Sequence, residues 1–380
     1  MAHFIDSHAK MIVSSNEGFA VKLYDVLRGE EGNIVMSPFS VSVVMAMVSA
    51  GAGGNTLQQI KTGLSFPSSL QLGYQYIIPA LRSTDNFTLE AANTVFAMKD
   101  SSVLTQFEDV LQKSFHASMQ MVDFGDSNGA ARMINSWVEN MTKDKIKHLI
   151  KEDMLSDLTR LVLVNAIYFK GDWAAKFDPK LTKEQDFFVN PSLTVKAPRM
   201  IKTMKFPMAY MKSLASTMVE LPYNGDRIVM QVLLPKERYG MRELEDKLTS
   251  NNVHEMFKIV SSETKVRIQL PKFKLEKTIP LTDHLATLGM KDMFNPGVAD
   301  FSGIDGTKEL FVSTVVQKAF IEVNEDGSEA AAATKATMGV MMPMPAPPEQ
   351  FVADHAFIFY IRDKTTGMLL FQGRVANPVE

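Results

Sequence analysis

The sequence predicts an α+β fold in one large domain, residues 1–380. Three observations predict it. Apolar residues recur at helical spacing near the amino terminus, apolar runs typical of strands follow, and no linker, repeat or low-complexity tract divides the chain. Apolar residues make up 46% of the chain, which is ample for a large core. The length alone would allow two or three domains, but the undivided pattern favours one.

Helices are predicted first along the chain. In residues 8–28 the apolar side chains fall at helical spacing, and Gly29 ends the element. A second, strongly apolar helix is predicted to end at Ser49. The glycine cluster that follows it matches no phosphate-binding motif, so we interpret it as a turn between two helices. A later helix is predicted over residues 279–290.

Strands are predicted from apolar runs. Residues 161–169 form a nearly unbroken run, which indicates a strand covered on both faces. Asn165 lies in its middle, where a buried amide costs free energy unless it finds hydrogen-bonding partners. Shorter runs predict further strands at 219–222, 228–235, 266–270, 311–323, 357–362 and 369–375.

The stretch 325–351 is the most unusual part of the sequence, and two interpretations compete for it. Four alanines at 330–333 favour a helix by propensity, and Ser328 could cap it. Alternation favours a strand instead, because the even positions from Ser328 to Met338 are small or apolar, whereas the polar groups occupy odd positions, as Lys335 does. Four prolines between 343 and 348 end any such strand.

Composition argues against several classes of function. A net charge of −3 argues against general binding to nucleic acids or anionic membranes, and no apolar run reaches spanning length. Cysteine is absent, so there is no disulfide framework, thiolate metal site or cysteine nucleophile. Residues 1–10 lack the apolar core of a signal peptide. We therefore expect a cytosolic chain, or an extracellular one whose signal peptide has been left off.

The sequence offers no recognisable active site. The seven histidines are scattered, without an H-E-x-x-H pair or a spacing typical of metal ligands. No G-x-S-x-G motif occurs, and Ser37 and Ser40 have no histidine nearby in sequence. We expect neither an enzyme nor a cofactor or metal, although a hydrolase whose triad is assembled only by folding is a distant alternative.

Residues 323–334, V-N-E-D-G-S-E-A-A-A-A-T, resemble the hinge of the serpins, a family of suicide protease inhibitors. Residues 352–362 resemble the family's signature after its reactive loop, and residues 33–60 resemble a conserved helical region. The resemblance implies a serpin fold: a large central mixed β-sheet, further sheets, about eight to nine helices and an exposed reactive loop at about 325–350. It also implies that the cut loop enters the main sheet and traps the protease as a covalent acyl-enzyme.

The same resemblance implies the functional residues. The hinge comprises Glu325, Gly327, Ser328, Ala330, Ala331, Ala332, Ala333 and Thr334. Counting from Glu325 gives the reactive bond as Met341 to Met342, within one or two residues, with Gly339 and Val340 as target-recognition residues. The shutter, a hydrogen-bonded cluster beneath the sheet, comprises Ser37, Ser40, Asn165 and Gln317, where Gln317 replaces the usual histidine. Trp173 belongs to the breach, where the loop first enters the sheet.

The expected partner is a protease with an apolar preference, bound by a monomeric inhibitor. Met341 suits an elastase- or chymotrypsin-like serine protease, whereas Val340 also suits a papain-like cysteine protease. A non-inhibitory serpin acting as chaperone, carrier or storage protein is the alternative. Such members typically have bulky or charged residues in the hinge, whereas the hinge residues of this chain are small. Arg82 is the only basic residue between 67 and 84, which argues against a heparin-like polyanion. We interpret the lysines at 143, 145, 147 and 151 as a solvated face.

Overall fold

The computed structural model describes residues 6–84, 86–258, 263–326 and 347–380. The α-helices in these residues are α1 Ser7–Leu27, α2 Pro38–Ser49, α3 Gly54–Leu64, α4 Leu70–Ala80, α5 Thr105–Val110, α6 Ser127–Met141, α7 Met241–Asp246, α8 Ser250–Lys258, α9 Thr282–Thr287 and α10 Ser302–Asp305. Ten helices are one or two more than the resemblance implies, because several of them, such as α10, are only about one turn long.

Fourteen strands lie in the same residues. They are β1 Ile34–Met36, β2 Phe87–Met98, β3 Gln120–Val122, β4 Leu161–Gly171, β5 Lys183–Asn190, β6 Leu193–Met211, β7 Ser216–Pro222, β8 Ile228–Pro235, β9 Glu263–Pro271, β10 Phe273–Pro280, β11 Val312–Val323, β12 Glu349–Val352, β13 Phe357–Asp363 and β14 Leu369–Val375. The bounds of β8 and β14 are those predicted from their apolar runs.

The strands form two sheets. The first, called here the main sheet, has the order β10-β11-β4-β2-β3, with parallel pairing of β11 to β4 and of β2 to β3 and antiparallel pairing elsewhere. The second has the order β1-β14-β13-β8-β7-β6-β9-β12, with β5 paired to β6. The predicted α+β fold with a mixed sheet and further strands is therefore confirmed.

Both faces of the main sheet are covered, as the apolar run at 161–169 predicts. Leu163 and Ile167 of β4 face the larger core, which α2 joins with all of its residues buried. Val164 and Ala166 face a smaller core formed with α6. Helix α6 covers this face of the sheet with Ala130, Ile134 and Val138. Among the described residues, no helix is both long and apolar enough to cross a membrane.

Two predictions fail because strand pairing overrides local pattern. The helix predicted at 279–290 is wrong at both ends: Ile279 and Pro280 end β10, paired with β11, and α9 occupies only Thr282–Thr287. Seven of the fourteen described strands were not predicted, namely β1, β2, β3, β5, β6, β10 and β12. The alanine, glutamate and asparagine residues of β2 have low strand propensity, but β2 pairs with β4 from Phe87 to Ala97, which decides its conformation.

Candidate functional site: the seam of the main sheet

Strands β11 and β4 meet at the centre of the main sheet without another strand between them. Residues 312–321 pair in parallel with residues 161–169, and this line of pairing is called the seam. After β11 the chain runs through Asn324 to Asp326, and residues 327–346 lie outside the described part of the chain. The chain resumes at Pro347 and soon forms β12 beside β9. The seam is therefore closed, and it lies next to the start of the predicted reactive loop.

A row of amide side chains crosses the seam on the face toward α2. Gln317 of β11 is in register with Asn165 of β4, which in turn is in register with Asn93 of β2. Gln317 and Asn165 are completely buried. The row meets the first turn of α2, whose N-cap is Ser37 and which includes Ser40. The four predicted shutter residues, together with Asn93, thus form one cluster.

Hydrogen bonds connect every member of this cluster. The Gln317 Nε2 donates to Asn165 Oδ1 at 2.5 Å and to the Ser37 carbonyl at 2.9 Å, and Gln317 Oε1 accepts from the Ser37 backbone N–H at 3.0 Å. The Asn165 Nδ2 donates to Ser40 Oγ and, at 2.5 Å, to Asn93 Oδ1, which also accepts from Ser40 Oγ at 2.8 Å. The buried Asn165 therefore has the partners that its position requires.

Gln317 fits this cluster better than a neutral histidine would. Its amide makes three hydrogen bonds, one as acceptor and two as donor. A neutral imidazole has one donor and one acceptor, so one of these bonds would be lost. Because an amide does not titrate, the Gln317 position itself contributes no pH dependence.

Sequence reasoning missed Asn93. Nothing local marks it, since it lies in a stretch of β2 with weak strand propensity. The only signal would have been its register opposite Asn165, and this becomes visible only when β2 and β4 are paired. Tertiary pairing therefore adds the fifth member of the cluster.

Trp173 closes the carboxyl end of the seam. It follows β4, and its Nε1 donates to the carbonyl of Asn324, which follows β11, at 2.8 Å. The indole stacks on Tyr223, with ring centroids 4.3 Å apart and planes 10° apart, and it is only 4% exposed. A strand entering the seam from this end would have to break the Trp173 hydrogen bond. The indole therefore stabilises the closed end of the seam.

Glu325 forms an ion pair at the same end. Its Oε2 lies 2.7 Å from Lys272 Nζ, and the side chains are 11% and 37% exposed. Burial disfavours the charged carboxylate, but its hydrogen bonds, chiefly the one from Lys272, outweigh this, so the pKa of Glu325 lies below its ordinary value of 4.5. Because the folded-state pKa is lowered, the pair stabilises the fold above pH 4.5, and that stability is lost as the pH falls through the lowered pKa.

Reversing the charge at Glu325 is expected to loosen this end of the seam. In Glu325→Lys two cations face each other, so we expect faster unfolding on warming and a free energy of unfolding lower by about 1 kcal/mol. The swap that adds Lys272→Glu restores opposite charges and should recover most of the loss. Incubation at several temperatures, followed by measurement of the fraction still folded by circular dichroism, measures the effect; equal unfolding rates for the single and double variants would contradict it.

The reactive bond and most of the hinge fall outside the described residues. These are Gly327, Ser328, Ala330, Ala331, Ala332, Ala333, Thr334, Gly339, Val340, Met341 and Met342. Their roles stay predictions from the sequence. Within the described part of the chain, no group of three or more His, Cys, Asp or Glu side chains is arranged to hold a metal ion.

Comparisons with known proteins agree on one family. The family model described as Serpin (serine protease inhibitor) matches residues 14–378. Leukocyte elastase inhibitor from Bos taurus is 40% identical over 379 residues, covering 97% of this chain and 100% of that protein.

Solved structures agree with the sequence comparison. Serpin48 from the insect Tenebrio molitor, described as highly specific, superposes with a TM-score of 0.85 at 33% identity, covering 97% of this chain and 98% of that one. Native protease nexin-1, solved with heparin, superposes with a TM-score of 0.88 at 30% identity, covering 98% of this chain and 100% of that one. The sequence and structure comparisons therefore indicate the same family over nearly the whole chain.

Proposed function

The chain belongs to the serpin family of serine protease inhibitors, and from this premise we propose how it inhibits. A protease takes the segment after Glu325 as a substrate and cuts it between Met341 and Met342. The freed segment then enters the seam as a new strand and carries the acylated protease with it. The chain thus acts as a monomeric suicide substrate that stays covalently bound to its target, and it is not itself an enzyme.

The direct parallel pairing of β11 with β4 carries this proposal. A segment that turns back after Asp326 would run antiparallel to β11 and, since β4 is parallel to β11, antiparallel to β4 as well. Insertion would replace one parallel ladder by two antiparallel ladders, and antiparallel pairing is the more stable kind per residue. Opening the seam therefore gives more hydrogen bonds than it breaks, which supports loop insertion as the trapping step.

The even positions of the segment suit this insertion. Ser328, Ala330, Ala332 and Thr334 are small, and a densely packed interior accepts small side chains without forcing its neighbours apart. A chaperone, carrier or storage role is not proposed, because nothing bulky or charged occupies these positions. Lys335, at an odd position, would point to the opposite face.

An elastase-like serine protease is the proposed target. The Bos taurus relative is named an elastase inhibitor, and Gly339, Val340 and Met341 offer only apolar contacts before the proposed cut. A trypsin-like target would need an arginine or lysine there. Papain-like cysteine proteases, which also accept Val340, form the second arm of the test.

We propose that trapping needs no sulfated polysaccharide on α4. Protease nexin-1 was solved with heparin. In this chain α4 contains neither lysine nor arginine, and Arg82 is the only basic residue between 67 and 84. A polyanion would therefore find almost no opposite charge on this helix.

Gel electrophoresis in SDS tests the mechanism. After incubation with elastase, chymotrypsin, trypsin or papain, with and without heparin, we expect an SDS-stable band of higher mass for elastase or chymotrypsin, unchanged in rate by heparin. The released peptide should begin at Met342. Elastase whose active-site serine is already blocked should give no such band. Complete cleavage near Met341 that leaves every protease active and forms no band would overturn the proposal.

A further inference from the structure

A cavity of about 540 Å³ lies at the free edge of the main sheet, away from the seam. Its wall is β2, which is an edge strand there because β3 pairs only with residues 96–98. Helices α2 and α4 close it from one side and Trp137 of α6 from the other. The volume is within the range of sites that bind small organic molecules.

The chemistry of the lining is amphipathic. The floor is apolar and mostly buried, with Val43, Met47, Leu81 and Phe115 among its residues. The rim carries two cations, of which Lys143 is already paired with Glu90 at 2.7 Å. Arg82, the other, is exposed and has no acidic partner among the described residues. A ligand with an apolar body and one negative charge would satisfy both the floor and this arginine.

An unusual backbone borders the same cavity. Residues Leu111–Phe115 form a π-helix, which is rare and occurs often at functional sites. His116, which follows it, has a φ of 52°, a left-handed conformation that is uncommon for a residue other than glycine. Phe115 and His116 both line the cavity. The irregular turn therefore shapes one wall of it, independently of the charge argument.

We propose that this cavity binds a long-chain carboxylate of the fatty-acid class, with its chain on the apolar floor and its carboxylate at Arg82. The cavity lies outside the seam, and of its lining residues Asn93 alone also belongs to the cluster beneath the seam.

Occupancy is expected to act on the seam through Asn93. This part of the inference rests on the proposed function. Asn93 lines the cavity and is also bonded to Asn165 in the cluster beneath the seam. A strand entering the seam must move β4 away from β11 by one strand spacing, about 4.8 Å, and β2 moves with β4 because the two are paired throughout. A ligand wedged between β2 and α2 resists this movement.

Binding is tested without any protease. The chain has two tryptophans, so Trp173→Phe leaves Trp137 at the cavity as the sole reporter. We expect saturable quenching of its fluorescence by dibrominated stearate. Arg82→Glu should weaken binding of the carboxylate about tenfold and leave binding of the neutral methyl ester unchanged, since only the charged contact is lost. Arg132→Glu, a change at an exposed arginine of α6 outside the cavity, is the matched control.

Filling the cavity provides the second variant. Ala91→Phe and, separately, Ala117→Phe place a ring in the space and should abolish binding of both probes, so that misfolding of one variant does not decide the result. No saturable quenching in the parent protein, or equal binding in the filled variants, would overturn the site. Loss of binding in Arg132→Glu as large as in Arg82→Glu would overturn the role of Arg82.

The effect on the seam is measured with a synthetic peptide of sequence 328–341 added to the intact chain. Oleate is expected to slow incorporation of the peptide several-fold, seen as a mobility shift on native gels, and to have no effect in Ala91→Phe. Oleate that binds but leaves the rate unchanged would overturn the coupling and not the site. A peptide that never enters the chain, with or without oleate, would count against the proposed function and leave the binding result standing.

Discussion

Replacing Ala332 with arginine is expected to turn the chain from an inhibitor into a substrate. Ala332 is at an even position of the segment, on the side proposed to pack against the sheet after cleavage. An unpaired guanidinium there costs several kcal/mol, which slows insertion while hydrolysis of the acyl-enzyme continues. Since 1.4 kcal/mol is a factor of ten, we expect the number of inhibitor molecules consumed per protease trapped to rise at least about tenfold.

Ala333→Arg is the matched control, because it places the same side chain one residue later at an odd position. Titration of a fixed amount of elastase with each variant gives the two stoichiometries. Ala333→Arg should stay close to the parent chain, since its guanidinium points to the opposite face. Similar stoichiometries for the two arginine variants would show that even and odd positions do not face opposite sides of the sheet. The strand interpretation of residues 328–341 would then be wrong.

Replacing Asn165 with alanine is expected to weaken the sheet at its centre. The change leaves Gln317 Nε2, Ser40 Oγ and Asn93 Oδ1 each short of one partner in a buried site. Each of these groups keeps one other partner, so at about 1 kcal/mol for each of the three lost hydrogen bonds the free energy of unfolding should fall by about 3 kcal/mol. Because the cluster spans the seam, we also expect faster incorporation of the 328–341 peptide and more self-association on warming.

Asn16→Ala separates this local effect from general destabilisation. Asn16 is an equally buried asparagine on α1, where its Nδ2 donates to the carbonyl of Leu369 at 2.8 Å, remote from the seam. Urea unfolding should show a loss of stability in both variants, but only Asn165→Ala should take up the peptide faster. If Asn16→Ala took up the peptide as fast as Asn165→Ala, the cluster would have no special control over the seam.

Several elements were predictable because their pattern is local. The two-sided apolar run of β4 and the wholly apolar α2 need no partner to be recognised, since a segment buried all round is apolar all round. The short apolar strands β8 and β14 followed for the same reason. Strand β2 and the last residues of β10, Ile279 and Pro280, were not predicted as strand. Their residues have weak strand or helical preferences, which strand pairing overrides.

Some residues of the candidate site were identified from the sequence, and others became apparent only in the structure. Ser37, Ser40, Asn165 and Gln317 were identified from family resemblance, and in the structure they form one hydrogen-bonded cluster, which Ser37 joins through its backbone. Asn93 was missed, and so was the Lys272 partner of Glu325. Both depend on which strands lie side by side, a property that no stretch of sequence carries alone.

By itself, the sequence determined the character of the segment after Gly327: small side chains at the even positions, prolines at its far end, and methionines at the bond that the family resemblance implies as the reactive one. These are properties of neighbouring residues, so they can be read without knowing the fold. Only the tertiary structure decided that β11 and β4 are direct parallel neighbours and that four polar side chains and the backbone of Ser37 are hydrogen-bonded together beneath them. Strands far apart in sequence choose their neighbours through hydrogen bonding and burial over the whole sheet, and that choice places the seam where the segment begins.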